Sequence, residues 1–298
     1  VAIAPTVSVT PTITAVNRPI GPTNYCRKIP QFVKDQGFGA NVIFSTSDRT
    51  TKGLILFEAT QEGKLLQKSY RDPTWDDAGY LGAVTIDQVG NLYVPPVPRV
   101  SLIDNPPEKQ LTLYKVDAAS GVMGEYLSVP AAAPPSPTNP FGLMAVTYDC
   151  DTQMLYTATL AGSTRTQELG RLSQIDTKQT KVAHQYEGVD AIGLGVFNGA
   201  QGKRLYFGSA RLPELRSIAL DNQGAFVGAP RVEQSLQELG AEVDERVRRI
   251  VFSQQNEMVL YTLKFNYNLA AASEREETVF RFAYDATSDS WALVETTM

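Results

Sequence analysis

A pattern that recurs four times along the chain restricts the fold more than any single motif does. A small or branched pair is followed, about ten residues later, by Leu-Tyr. The copies run from Ala83-Val84 to Leu92-Tyr93, Ala145-Val146 to Leu155-Tyr156, Gly195-Val196 to Leu205-Tyr206, and Ile250-Val251 to Leu260-Tyr261. Between the paired segments lie Asp87, Gly90 and Asn91, then Asp149, Asp151 and Thr152, then Asn198, Gly199 and Gly202, then Gln254, Gln255 and Asn256. Most of these residues suit the sharply bent positions of a hairpin loop. A third alternating segment follows each pair and ends on an acidic residue: Leu111–Asp117, Arg171–Asp176, Leu215–Asp221 and Val279–Asp285, with an earlier counterpart at Leu54–Glu58 after Val42–Ser45. A fourth comes after a further turn, at Lys64–Tyr70, Gly124–Val129, Lys181–Tyr186, Ala225–Val227 and Trp291–Glu295.

Each unit therefore reads as a four-stranded antiparallel meander. Such a sheet has two faces and two open edges, and radial packing of copies covers both faces and shields the edges. The expectation is an all-β chain: a β-propeller of four-stranded antiparallel blades, with five blades visible and six an open alternative. The opening strand of the first unit is placed near Gln31–Val33, and a sixth, degenerate blade would draw on Thr6–Val16. A β-sandwich with irregular hairpins is the competing architecture. One helix is expected, at Val232–Leu239, with Val232, Leu236 and Leu239 on one face and Gly240 ending it. Pro130–Pro140 holds five prolines in eleven residues and reads as a stiff spacer inside the propeller. Residues 1–30 read as an N-terminal extension whose Val7–Val16 stretch adds a strand to a blade edge, and residues 31–298 as a single propeller domain.

Composition trims the function classes. No run of eighteen apolar residues occurs, so no transmembrane helix is expected. The net charge of -5 gives no support for a nucleic-acid partner. One histidine and two cysteines are too few for a four-ligand zinc site of those residue types alone. The sole imidazole, His184, falls on an outer strand, away from any nucleophile near the axis. Gly193-Leu194-Gly195 lacks the spacing of a phosphate loop and reads as close strand packing. Cys26 and Cys150 either form one disulfide, tying the extension to a hairpin turn, or are unrelated thiols. The chain starts at Val1 in a segment rich in threonine, valine and proline, and an extracellular or periplasmic location is expected.

The loops that enter successive inner strands present Asp76 and Asp77, then Asn139, then Asp190, then Asp244 and Glu245. In the propeller these side chains converge on one mouth of the central channel. Calcium suits such a ring because it accepts carboxylate, amide, carbonyl and water oxygens together. The same residues also cap turns through local hydrogen bonds, and both readings stay open. Trp75 stands beside the acidic pair, either as a stacking surface for a ligand with Asp76 and Glu245 or as a lid packed on the blade edge.

The segment Val84-Thr85-Ile86-Asp87-Gln88-Val89-Gly90-Asn91-Leu92-Tyr93-Val94 resembles a blade of the NHL-repeat and SMP-30/gluconolactonase-like β-propellers. Their blades carry an apolar inner strand, Asp-x-x-Gly-Asn-Leu-Tyr-Val, and a strand ending near Ile-Asp. Partial versions stand at Val146-Thr147-Tyr148-Asp149 with Leu155-Tyr156 and at Leu205-Tyr206-Phe207. The resemblance implies a divalent cation in the channel, with Asp77, Asn139 and Asp190 as ligands and Asp244 as a further ligand or catalytic base. It also implies hydrolysis of lactones or related esters. The residues read by themselves favour a different class: a non-catalytic propeller that binds a protein or small-molecule ligand through loops such as Ser47–Lys52, Pro95–Lys109 and Leu160–Gly170.

Overall fold

The structure, a computed structural model, describes residues 18–46, 51–97, 102–267 and 278–297. The chain enters through a two-residue strand, β1 (Gly21–Pro22), and one helical turn, α1 (Gln31–Asp35). Blade 1 follows as three strands, β2 (Val42–Ser45), β3 (Ile55–Ala59) and β4 (Leu65–Tyr70). Blade 2 holds β5 (Thr85–Ile86), β6 (Leu92–Val94), β7 (Thr112–Val116) and β8 (Met123–Ser128). Blade 3 holds β9 (Leu143–Asp149), β10 (Met154–Thr159), β11 (Arg171–Asp176) and β12 (Lys181–Glu187). Blade 4 holds β13 (Ala191–Gly199), β14 (Gly202–Ser209), β15 (Glu214–Leu220) and β16 (Phe226–Ser235). Blade 5 holds β17 (Glu245–Phe252), β18 (Glu257–Lys264), β19 (Val279–Asp285) and β20 (Ser290–Thr297). Every pairing is antiparallel between neighbours in sequence, apart from β1 on β13, so the protein is a five-bladed β-propeller of meander sheets.

The recurring Leu-Tyr pair has a mechanical reason. Successive side chains of a strand point to opposite faces. Leu92 accordingly packs toward blade 1 with Leu54, Leu56 and Val116, while Tyr93 packs toward blade 3 with Tyr148 and Leu155. Leu155 and Tyr156 repeat the arrangement between blades 2 and 4, and Leu205 and Tyr206 repeat it between blades 3 and 5. The core between blades 4 and 5 joins Phe197 and Tyr206 to Phe252, Phe280, Phe282 and Trp291. Each such large side chain contributes about 1.5–3 kcal/mol on burial. In blade 5 the series changes: Leu260 is buried against blade 4, but Tyr261 points away from it and carries the Arg249 guanidinium 3.7 Å from its ring centre. Among the described residues four apolar cores join successive blades, and none joins blade 5 to blade 1.

The meander puts the short hairpin turns at one end of the ring and the longer connections at the other, here called the turn end and the loop end. The best-matched motif builds a turn. Asp87 Oδ1 accepts from the backbone N–H groups of Val89, Gly90 and Asn91 at 2.9, 2.8 and 2.9 Å. Its Oδ2 takes the Asn91 amide at 2.8 Å and the Tyr93 hydroxyl at 3.2 Å. Gly90 has φ 99°, and a Cβ there would come within 3.0 Å of Pro30 Cα. Close approach also explains Gly193 and Gly208, where a Cβ would meet the backbone of Val247 and Arg248 on the neighbouring inner strand.

Residues 18–30 form a strap across the turn end. β1 pairs with the axial edge of β13 (Gly21 with Asn198, Pro22 with Phe197). The Cys150 N–H donates to Thr23 O at 2.8 Å, and Cys26 is disulfide-bonded to Cys150. Beneath it the buried Lys203 ammonium bridges Asp149 at 2.6 Å and Asp151 at 2.9 Å. The Tyr25 hydroxyl donates to Asp151 at 2.8 Å. Burial pushes the Asp151 carboxyl up, but bonds from Lys203, Asn198 and Tyr25 outweigh it and hold the group below the usual range.

Two expected elements differ. Gln31–Val33 is the start of α1 and not a strand, because Phe32 and Val33 must both enter the core under Phe44, Tyr70 and Trp75, and a strand would send them to opposite faces. Val232–Leu239 is not a helix. β16 continues to Ser235 along β15, with Arg216 opposite Val232 and Glu214 opposite Ser235, and only Gln237–Leu239 forms a 3-10 turn, ended by Gly240 at φ 101°. A ready ladder on β15 outweighed a weak helical pattern. The Thr6–Val16 and Val7–Val16 stretches, and part of the Ser47–Lys52 and Pro95–Lys109 loops, lie outside the described residues. No helix among the described residues is long and apolar enough to cross a membrane.

Candidate functional site

At the loop end, blades 3 to 5 build a polar group around Asp190, which is 1% exposed. Asp190 Oδ1 accepts from the Ser163 hydroxyl at 2.5 Å and the Gly170 N–H at 2.9 Å. Its Oδ2 accepts from Arg211 at 3.0 Å and from the Tyr267 hydroxyl at 2.6 Å. The close fit of Gly170 is required, since a Cβ there would meet Asp190 Oδ1 at 2.5 Å. Asn139 staples the same loop: its amide donates to Leu160 O at 2.9 Å and Ser163 O at 2.7 Å, and its oxygen accepts from the Phe141 N–H at 3.1 Å.

Arg211 is the hinge between the loops. Besides Asp190 it donates to Thr164 O at 3.0 Å and Arg165 O at 2.8 Å, and its own carbonyl accepts from Arg246 at 2.7 Å. Arg246, mostly buried, also spans Ala210 O, Val243 O and Glu245 O. Burial pulls the Arg211 pKa down, but the Asp190 bond and the nearby Tyr267 and Glu168 outweigh it, so the guanidinium stays charged. Burial and the hydrogen bond to Asp190 push the Tyr267 hydroxyl far up, which fixes it as a donor. An apolar floor of Phe141, Leu160, Ile192 and Tyr267, with Met144 and Phe265 packed against it, lies beside this group. Arg165, exposed, donates to Asn266 Oδ1 at 3.0 Å on the neighbouring loop.

The expected ring of oxygen ligands is thus divided. Asn139 and Asp190 come together through Ser163. Glu245 is buried at the start of β17 and accepts from the Thr278 hydroxyl at 2.9 Å and the Glu242 N–H at 3.3 Å. Asp244 lies 3.4 Å from Lys264, which also pairs with Glu242 at 2.5 Å, while Asp244 Oδ1 is buried with no hydrogen-bond partner among the described residues. Asp76 and Asp77 are exposed on the connection between blades 1 and 2, where Asp76 pairs with Arg71. Among the described residues no hydrogen bond or ion pair links them to the Asp190 group. Trp75 is fully buried: its indole N–H donates to Gly121 O at 2.8 Å, and its ring packs edge-on to Phe32 and Tyr70. The indole is spent on the core and presents no stacking face at the mouth.

These donors do not fit a calcium ion. Asp190 already accepts four bonds, one from a guanidinium, and Asn139 has spent its oxygen on a backbone N–H. Among the described residues no group of three or more histidine, cysteine or carboxylate side chains is placed to hold a metal. The residues that complete the site, Ser163, Arg211, Arg246 and Tyr267, carry no signature in the repeat. Their common signal is position, since all lie on or beside connections that meander topology sends to the loop end.

No protein-family model matches the chain, and no curated protein matches it. Solved structures do. A luciferin-regenerating enzyme is 10% identical and matches with a TM-score of 0.50 over 93% of this chain and 79% of that one. A protein from Lactobacillus plantarum is 13% identical, with a TM-score of 0.50 over 87% and 69%. A calcium-binding protein, regucalcin, from Agrobacterium tumefaciens is 11% identical, with a TM-score of 0.45 over 93% and 77%. At such identities the likeness is one of fold, and the resemblance carried by Asp87–Tyr93 is borne out as a propeller architecture.

Proposed function

We propose that the protein is a non-catalytic binding propeller whose recognition surface is the loop end around Arg165, Arg211 and Phe265. The observation that carries this reading is the saturation of Asp190. A carboxylate that accepts from Ser163, Gly170, Arg211 and Tyr267 holds three loops in register and has no lone pair free to activate water. Rigid loops beside an apolar floor are the features of a recognition site. The exposed Arg165 beside half-buried Phe265 suits a ligand with an anionic group on an apolar body. The Cys26–Cys150 disulfide supports an oxidising, extracellular or periplasmic compartment.

The test is a thermal-shift screen of carboxylated small molecules and peptides against their neutral amide analogues, on wild type and Arg165→Ala. Selective stabilisation by the anionic members, lost in the variant, supports the reading. Equal response to charged and neutral members, or turnover of a lactone or ester by the wild type, overturns it. The second reading, a divalent-cation-dependent hydrolase, is favoured by one observation, the buried Oδ1 of Asp244, which has no hydrogen-bond partner among the described residues. It predicts calcium binding by calorimetry that is lost in Asp244→Asn and kept in Asp77→Ala.

A further inference from the structure

The strap follows the rim of the channel at the turn end. It comes in over blade 4, where Arg18 donates to Asn222 O, and β1 then lies on the axial edge of β13. Thr23 and Cys26 fasten it to Cys150, in the turn between β9 and β10. The Lys28 N–H donates to Asp87 O, in the turn between β5 and β6, at 3.5 Å. These anchors belong to the innermost strands and turns of blades 4, 3 and 2. The chain then leaves outward, with the Phe32 N–H on Ala118 O beyond β7. Arg27 therefore stands on the rim between the inner turns of blades 3 and 2, and its backbone is pinned by the residue before it and the residue after it.

The fold does not use its side chain. Among the described residues the Arg27 guanidinium has no hydrogen bond, ion pair or ring contact. Other arginines are engaged: Arg211 holds Asp190, Arg246 holds four backbone carbonyls, and Arg249 lies over the Tyr261 ring. Arg27 is exposed to solvent, yet burial still lowers its pKa and no carboxylate raises it again. Solvent access with protein on several sides describes a concave place, and the concavity beside this rim is the mouth of the channel. A desolvated cation without a partner is unfavourable until an opposite charge meets it. The guanidinium stays charged, and its planar fork matches two oxygens of a carboxylate or phosphate.

We propose that Arg27 anchors an anion site at the turn-end mouth of the channel, for a ligand that presents a carboxylate or phosphate group. The site lies at the opposite end of the ring from the loop-end surface and does not depend on what that surface binds. The disulfide on one side and the Asp87 bond on the other hold the arginine in place before a ligand arrives, so little conformational freedom is left to lose on binding.

Calorimetric titration of the full chain with inorganic phosphate, against chloride at matched ionic strength, tests this. The expected result is saturable binding in wild type, weaker by about tenfold or more in Arg27→Gln and partly kept in Arg27→Lys, which retains the charge and loses the fork. Lys181→Gln removes an exposed charge from the outermost strand of blade 3 and should bind phosphate as wild type does. Because the fold makes no use of the Arg27 side chain, Arg27→Gln without phosphate should melt at the wild-type temperature or above it. The same titration on Arg165→Ala locates the anion: binding that persists places it at the turn end. The proposal is overturned by the absence of saturable binding, by equal binding in wild type and Arg27→Gln, or by equal losses in Arg27→Gln and Lys181→Gln, which would reduce the effect to net charge. Binding lost in Arg165→Ala also overturns it and leaves the loop-end reading standing. A lower melting temperature in Arg27→Gln would make the residue structural and overturn it as well.

Discussion

Removing the Cys26–Cys150 disulfide isolates what the strap contributes. The two cysteines are 124 residues apart. Closing a loop of that size in the unfolded chain removes conformational entropy worth about 5 kcal/mol at 25 °C. The native strap has other anchors: the β1–β13 pairing, Tyr25 on Asp151, the Lys28 N–H on Asp87 O, and the Phe32 N–H on Ala118 O at 3.1 Å. The Cys26→Ser/Cys150→Ser variant is therefore expected to keep its five blades and to lose about 4–5 kcal/mol, nearly all through the unfolded state. Guanidinium unfolding followed by the fluorescence of Trp75 and Trp291 reads both ends of the blade series, since both indoles are buried. The denaturant slope should rise, because an unlinked chain exposes more surface when unfolded. A loss below about 1 kcal/mol with an unchanged slope would refute the loop-entropy argument. A similar loss accompanied by fast exchange of the Cys150 amide would show instead that the bond is needed for the native strap contacts.

Three further outcomes are expected. Asp87→Ala removes the acceptor of five hydrogen bonds in one turn and should cost about 2–4 kcal/mol by denaturant melting, with Asp87→Asn recovering part of it. Lys203→Met leaves the fully buried Asp149 without its cation and should cost about 3–5 kcal/mol, most of it restored in Lys203→Met/Asp149→Leu. The Asp151 bond pushes Tyr25 up to about 12, and burial does the same for Tyr114 and Tyr148. Raised phenol values stabilise the fold fully below the ordinary value near 10, and that stability is lost as pH rises toward about 12. Alkaline unfolding should track the phenolate absorbance lost in Tyr25→Phe, Tyr114→Phe and Tyr148→Phe variants across that window, and ionisation of these three groups near pH 10 in the intact fold would contradict it.

Much of the blade construction was legible because it is local and periodic. Leu-Tyr recurs because each inner blade must offer a leucine to one neighbour and a tyrosine to the next. The Asp87 motif is legible because one carboxylate caps its own turn within six residues. The site was legible only as a location. Asn139, Asp190 and Glu245 do gather at the loop end, yet the partners of Asp190 lie far from it in sequence, Arg211 on the next loop-end connection of blade 4 and Tyr267 in blade 5, and no period in the sequence announces them. Trp75 shows the same limit: its neighbours in sequence are acidic and exposed, while its neighbours in space are Phe32 and Tyr70.

The sequence by itself determined an all-β chain of repeated meanders, most strand positions, and the turns that separate them, since alternation and turn chemistry act within a few residues. Only the tertiary structure decided that Cys26 meets Cys150, that β1 lies on the axial edge of β13, and that Asp190 spends its charge on Arg211. Those outcomes depend on which groups distant in sequence come within bonding distance, and a buried carboxylate takes whichever donor the packing brings to it.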